Sequence, residues 1–535
     1  MSLLTRALGA LCLLAYFSGP AMAKGIALSP EGLESLRSAK VAERNRALEE
    51  LFANPADGAT GLLMALQAGT LYVTRDGGDL LALDEDAGTA TSVIRGVVLP
   101  LPDKGALRRV GTSTAQRDRI MAMLDLRLLR HPDSALRRKA AAGLLDRPIT
   151  AERPQLLALR DVETDAETRR HLDLALALLT ARGAAASSNH LLRAVALLRD
   201  SGLPAAKTAL EALKAATADK NVLGAISEAL EHKRLVADWT AMLETLFFGL
   251  SLGSVLILTS IGLAVTFGVM GVINMAHGEL VMLGAYTVWG LQQALPGQPG
   301  AALLLSVPAA FLVSGGIGIL LERIVIRHLY GRPLETLLAT FGVSLVLQQA
   351  VRTLISPQNR AVVGPDFMSG MWRITGNLSL TCNRIYILCF CLGVFALIYV
   401  IMHKTRLGLE VRAVTQNRAI AKALGVRASR VDTLTFALGS GVAGMAGVAL
   451  SQLTNVGPNL GQSYIVDSFM VVVFGGVGNL WGTLSGGLIL GLANKVLEPV
   501  SGAMLAKIII LAGLILFMQA RPKGLFPQRG RAVED

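Results

Sequence analysis

The chain has 535 residues, 52% of them apolar, 17% charged and 5% aromatic, with 55 glycines and a formal charge of +12; its mean hydropathy is +0.51. Soluble domains carry roughly a quarter charged residues, so the composition excludes an ordinary soluble enzyme and a disordered chain and points to a membrane protein. A cut between Leu243 and Glu244 leaves 59 of the 90 charged residues in the shorter first part, with a net charge of +3 before the cut and +9 after it. The soluble part therefore comes first, and the positive excess travels with the apolar part. Nucleic-acid binding would place a basic patch with interleaved aromatics on the soluble part. We expect no nucleic-acid partner; basic loops held on the cytoplasmic side of a membrane, with lipid around the spans, fit the distribution better.

Residues 1–23 read as a secretory signal peptide: Arg6, an apolar run from Ala7 to Phe17, then Gly19-Pro20 and the small-x-small triplet Ala21-Met22-Ala23. Cleavage is expected after Ala23; an uncleaved anchor helix is the alternative, and either one exports the chain from Lys24 onward.

Residues 24–238 read as a mainly helical exported module. After a helix-like stretch from Leu33 to Phe52, Leu71–Thr74 and Leu80–Leu83 flank Arg75-Asp76-Gly77-Gly78-Asp79, which predicts a small β-hairpin. From Thr114 the helical period returns. Asp133 precedes Arg137-Arg138 and an apolar helix, and Asp165, 32 residues on, precedes Arg169-Arg170 and another. Two architectures fit: a HEAT-like solenoid of stacked helix pairs, or a non-repetitive bundle. His131, His171, His190 and His232 are scattered without a nucleophile or second ligand nearby. Cys382, Cys389 and Cys391 have no metal-ligand spacing. No cofactor site and no enzyme chemistry are expected.

A spanning helix needs about 20 mostly apolar residues. From Thr245 to Leu321 the one formal charge is Glu279, and from Thr433 to Asn494 it is Asp467. Candidate spans are 244–269, 278–295, 301–321, 334–352, 385–402, 432–453, 464–478, 483–499 and 503–520, eight or nine in all. An all-α polytopic membrane protein is predicted over residues 243–525. With residues 24–243 outside, the basic stretches 322–333, 403–431 and the tail (526–535 with Arg521 and Lys523 just before it) fall inside, as short inner loops should. Glycines at 439–447 and 475–491 let helix backbones approach closely; those at 474–482 could instead break a helix around a solute path.

No phosphate loop occurs, since the dipeptide Gly-Lys is absent. Any ATP drive must come from a partner. In Thr266–Tyr286, Asn274, His277 and Glu279 lie in the least charged region, where ionisable groups usually face an interior or a wet cavity. Asn274 and His277, three apart, are expected to share a helical face. They either bond neighbouring helices or line a path for a small polar solute. In the basic loop 403–431, Ala413–Leu424 is predicted to form one short amphipathic helix that Gly425 stops, suited to the grip of an attached cytoplasmic protein.

Three stretches, GVINMAHGELVMLGAY (271–286), RAVTQNRAIAKALGV (412–426) and VFGGVGNLWGTLSGGLILG (473–491), resemble the inner-membrane permeases of ABC importers for branched-chain amino acids and related solutes. The long exported segment ahead of that core resembles the urea-transporting branch. The resemblance implies cytoplasmic ATP-binding subunits docked on the loop around Arg412, Gln416, Asn417, Ala421 and Gly425, a second homologous permease and a periplasmic solute-binding protein. Where the general pattern has Glu-Ala-Ala six residues before its glycine, this chain has Ala419-Ile420-Ala421. Urea is the expected solute, because hydroxyl and amide groups such as Thr340 and Asn274 suit a small neutral molecule; a branched-chain amino acid or amide is the alternative. A self-sufficient secondary transporter or channel, which would not need the loop 403–431, is the rival from another class.

Overall fold

The computed structural model describes residues 28–526, apart from 39, 55–56, 75–78, 85–88, 94–96, 101, 103–106, 146–152, 183–186 and 376–377. The proposed signal peptide, the turn of the expected hairpin and the basic tail beyond Phe526 lie outside the described residues. The chain divides into two compact units, with the boundary at Asp238/Trp239.

The first unit begins with helices α1 (Pro30–Arg37), α2 (Val41–Ala53) and α3 (Asp57–Ala68). Strands β1 (Leu71–Thr74) and β2 (Leu80–Asp84) pair antiparallel with Tyr72 opposite Leu81, as the sequence indicates. They belong to a larger sheet. Strands β3 (Thr89–Ser92), β4 (Val98–Pro100) and β5 (Leu107–Arg109) complete five antiparallel strands in the order β4-β3-β2-β1-β5. These added strands are three or four residues long, too short for alternation to show in the sequence. Leu71, Val73, Leu80 and Ala82 bury one face against Leu48, Leu51, Leu63 and Leu66 of the helices.

Helices α4 (Thr114–Leu128), α5 (Ser134–Leu145), α6 (Arg153–Val162), α7 (Ala166–Arg182), α8 (Ser188–Asp200) and α9 (Pro204–Ala216) follow. Helix α7 packs against α5, α6, α8 and α9, with Leu172, Leu176, Leu198 and Leu210 in the shared core. The two recurring aspartates both start helices. Asp133 Oδ1 accepts from Ala135 N at 2.9 Å, and Asp165 Oδ2 accepts from Thr168 N at 2.9 Å, the geometry of an N-cap.

The arginines that follow Asp133 tie adjacent helices together. Arg137 forks onto both oxygens of Glu163 at 2.9 Å, and Arg138 reaches Asp165 at 2.9 Å. The Arg138 hydrogen bond, followed by those from Thr168, holds the Asp165 carboxyl well below the usual carboxylate range, and Arg137 lowers Glu163. A carboxyl depressed in the folded state contributes stability above its unfolded pKa, and that contribution is lost as pH falls through the folded value. Helices α5–α7 are therefore expected to keep full protection at neutral pH and to lose it progressively as pH falls below about 4. Hydrogen exchange over residues 134–182 at pH 7 and pH 3 checks this; equal protection at both would remove the pairs from the stability account.

Helix α10 (Lys220–Met270) crosses the unit boundary. The second unit continues with α11 (His277–Ala294), α12 (Pro299–Ile324), α13 (Pro333–Leu354), a hairpin of β6 (Met371–Thr375) and β7 (Leu378–Thr381), α14 (Cys382–Lys404), α15 (Arg406–Gln416), α16 (Arg418–Ala423), α17 (Ala428–Ser451), α18 (Gln462–Gly475) and α19 (Leu480–Ala520). The apolar segments singled out in the sequence coincide with these helices, except that 278–295, 432–453 and 464–478 run one to three residues past the helix ends at Ala294, Ser451 and Gly475. By length and composition six of them, α10, α12, α13, α14, α17 and α19, can cross a membrane. The count differs from eight or nine for three physical reasons. Helix α11 carries His277, Glu279 and two glutamines in 18 residues; α18 is 14 residues long; and α19 unites two expected spans across a break at Gly502, whose φ is +78°, just after Pro499.

Helix α17 is the hub, buried along most of its length between α11 and α12. Its small residues permit this. Gly444 lies against the backbone of Gly284 in α11 and against Ala310 and Ser314 in α12, and Gly439 lies against Gly262 in α10. Without water to drive helices together, such close approach supplies the dispersion contacts that do. The outward faces of α12, α13 and α19 expose Leu312, Leu338, Leu345, Met504 and Leu516, the surface expected against lipid.

Candidate functional site

Helix α10 ends at Met270, and Gly271 takes φ +65°, a turn only glycine makes without strain. Residues 271–276 are not helical. The chain then doubles back: His277, the first residue of α11, bonds through Nε2 to the carbonyl of Thr259 at 2.9 Å. Thr259 lies eleven residues before the end of α10, about 16 Å at 1.5 Å per residue. Helix α11 thus starts well back from the end of α10, beside the middle of its apolar part, 244–269. At its start Gly278 packs backbone to backbone on Gly461, the N-cap of α18. Two short helices begin side by side at the depth of a long one, the arrangement discontinuous helices adopt around solute sites.

Asn274 and His277 do not share a helical face, because Asn274 precedes the helix. Its Oδ1 accepts from Ala276 N at 3.0 Å, the local bond that makes asparagine a turn former rather than a helix former. Thr340 accepts from Met275 N at 3.1 Å and donates to Leu337 O at 3.0 Å, satisfying an amide of the non-helical stretch. Glu279 Oε1 accepts from Ser344 Oγ at 2.9 Å and Gln348 Nε2 at 2.7 Å. Asn274, His277, Glu279 and Thr340 are each at most 1% exposed.

Sequence reasoning passed over Ser344 and Gln348. The signal was available: Thr336, Thr340, Ser344 and Gln348 recur every four residues and form one buried polar row on α13. Asn274 Nδ2, His277 Nδ1 and Glu279 Oε2 have no hydrogen-bond partner. Buried polar atoms are nearly always bonded, so three atoms without a partner within six residues single this junction out.

At the other functional stretch the single helix expected over 413–424 is two. Asn417 takes φ −152° and ends α15, and its Oδ1 accepts from Ile420 N at 3.0 Å to start α16. Asparagine makes a better cap than helix interior, which is why the helix divides there. Gln416 is the last residue of α15. Arg412 donates to the carbonyl of Met402 at the end of α14. Ala421 is buried among Val411, Val414, Ala428 and Val431, and Gly425 stops α16 at φ +86°. Leu409, Ile420 and Leu424 remain exposed. A cavity of about 660 Å³ separates α15 from the start of α19, lined by Arg412, Gln416, Gly478, Asn479 and Trp481 among others. The break expected within 474–482 is present: Gly476 and Gly478 take φ +105° and +79°, and Asn479 caps α19.

Residues 245–518, which contain both stretches, match the family described as branched-chain amino acid transport system / permease component. The chain belongs to this family. The permease is 31% identical over 295 residues to the high-affinity branched-chain amino acid transport system permease protein LivH of Salmonella typhimurium strain LT2, covering 53% of this chain and 94% of that protein. The corresponding protein BraD of Pseudomonas aeruginosa is 29% identical over 53% of this chain and 95% of its own length. The ribose import permease protein RbsC of Escherichia coli K12 is 28% identical over 40% of this chain and 67% of its own. No solved structure matches. The permease is thus a multi-pass transport subunit and not an enzyme, and its family implies ATP-binding subunits and a solute-binding protein as partners.

The buried junction yields a direct expectation. Glu279→Leu takes the acceptor from Ser344 and leaves Gln348 only its long 3.4 Å bond to Ser344 Oγ, a desolvation cost of about 1–3 kcal/mol for a group left unpaired, and is expected to lower the amount of folded permease in membranes. Glu279→Gln keeps an accepting oxygen and is expected to fold but transport poorly. Equal uptake by wild type and Glu279→Gln would return the residue to a packing role.

Proposed function

We propose that this chain translocates a small nitrogen-bearing solute as one permease of an ATP-driven importer, with ATP hydrolysed on partner subunits that grip α15 and α16. The observation that supports this best is the pairing, inside the family-matched region, of a buried polar junction beside the middle of α10's apolar part with a basic two-helix loop. In this reading residues 24–243 lie outside the cell, and within the exported segment 24–238 the helices between Thr114 and Ala216 stack in pairs and offer a protein-docking surface. The loop 403–431 and the C-terminus are placed inside, and the broken α19 with the shorter α11 and α18 brings the number of crossings to nine. A second homologous permease completes the pore, and a periplasmic binding protein delivers the solute.

A branched-chain amino acid is the first reading for the solute, because the relatives covered almost end to end carry that name. A second reading, urea, is favoured by one feature of the junction. Its groups are hydroxyls, amides, one imidazole and one carboxylate, and among the described residues no lysine or arginine is bonded to them to hold the carboxylate of an amino acid; Arg352, one turn beyond Gln348 on α13, donates instead to Asn459 at 2.7 Å. The long module ahead of the family core agrees with this second reading.

Reconstitution of the permease with its ATPases, second permease and binding protein in liposomes tests both. ATP-dependent uptake of labelled leucine with none of urea selects the first reading, and the reverse selects the second. Uptake of either without ATPase subunits would overturn the importer assignment.

A further inference from the structure

We propose that Arg418 is the positioning residue that locks the cytoplasmic loop to the membrane helices, so that force applied to α16 reaches α17. This rests on the reading of α15 and α16 as the ATPase grip. Arg418 opens α16 and turns inward. Its guanidinium faces both oxygens of Asp432, Nη1 to Oδ1 at 3.3 Å and Nη2 to Oδ2 in closer contact, and its Cζ lies 4.4 Å from the centre of the Tyr330 ring. Asp432 sits near the start of α17 and is 1% exposed. Tyr330 follows the short turn Ile326–Leu329, which belongs to the other cytoplasmic loop.

The contact continues into the bundle. Thr433, the next residue, donates to the buried Glu322 at the end of α12 at 2.7 Å. Arg418 therefore joins three pieces: the coupling loop, the 326–330 turn and the α12–α17 pair. Among the described residues no other cation of the loop 403–431 makes a salt bridge; Lys404, Arg406, Lys422, Arg427 and Arg430 are left to solvent or to a partner.

A buried carboxylate stripped of its cation is strongly disfavoured, so α16 cannot move away from α17 without breaking the most protected charge pair in the loop. The bidentate fork also fixes angle as well as distance, which a lysine cannot do. A push on α16 is thereby converted into a movement of α17. That helix carries Gly439 and Gly444 against α10 and α11, the two helices that meet at His277.

The test uses the reconstituted importer and whichever of labelled leucine or urea the wild type carries, reading uptake and ATP hydrolysis together. If the wild type shows no ATP-dependent uptake, the proposed function fails before any variant is made. Given wild-type uptake, R418K and the double variant R418Q/D432N are expected to insert and to retain ATPase subunits. The double variant removes both charges and so leaves none buried alone. Both are expected to hydrolyse ATP while moving about tenfold less solute per ATP, the size of an ordinary coupling free energy. Uptake and hydrolysis falling in proportion, wild-type coupling in both, or loss of both variants from the membrane would each overturn the proposal.

Discussion

Gly447→Val is expected to prevent the membrane unit from packing. Gly447 faces the backbone of Val281 and Ala285 in α11, and a Cβ placed on it would come within 2.7 Å of the Ala285 amide nitrogen while overlapping the Val281 carbonyl. Backbone cannot rotate aside as a side chain can. Overpacking in a dense interior usually costs about 1–3 kcal/mol, and with main chain on both sides the cost should reach the top of that range or exceed it. The helices α11 and α17 would part, and the His277 junction with them. The expected result is a collapse of monodisperse yield in detergent and a lowered thermal midpoint. Gly393→Ala in α14, where a Cβ meets nothing within 4 Å, is the control and should gain roughly 0.5–1 kcal/mol of helix stability. A wild-type midpoint for Gly447→Val would show that the α11–α17 approach is looser than described.

Gly425→Pro should separate insertion from assembly. Gly425 stands at φ +86° and donates its N–H to Lys422 O at 3.0 Å; proline fixes φ near −65° and has no N–H. The stop of α16 cannot form, and Ala421 loses its place among Val411, Val414 and Val431. The spans are untouched, so membrane abundance should hold while ATPase subunits disappear from the purified complex. Gly425→Ala, whose Cβ meets nothing within 4 Å but which carries the left-handed penalty of about 1–2 kcal/mol, should show partial loss. Full ATPase retention by Gly425→Pro would remove the loop from the docking surface.

The apolar runs were legible because a lipid-facing helix must be long and uncharged, and each run did become helix. The breaks were less so. Asn417 lies in a stretch whose apolar spacing suits one continuous helix, and only its own side chain, capping Ile420 N, divides it. Asn274 stands at helical spacing from His277 in the sequence, but the turn at Gly271 sends the chain backward before the helix begins, a tertiary event with no local periodicity. Ser344 and Gln348 were within reach, being the continuation of a four-residue row that starts at Thr336, but their meaning depends on Glu279 arriving opposite them from 65 and 69 residues away. The five-stranded sheet escaped for a different reason: strands of three residues, such as Val98–Pro100, hold too few positions to show a pattern.

The stretch between α10 and α11 also constrains how the protein is made. Hydrocarbon offers no partner to a bare amide, and Met275 N finds its acceptor on Thr340, which the ribosome delivers 65 residues later. The first two apolar segments therefore cannot settle in bilayer as a finished pair. Either they wait in the shelter of the insertion machinery until α13 emerges, or they enter straight and bend afterwards; by both routes the turn at 271–276 is completed only once α13 has been made.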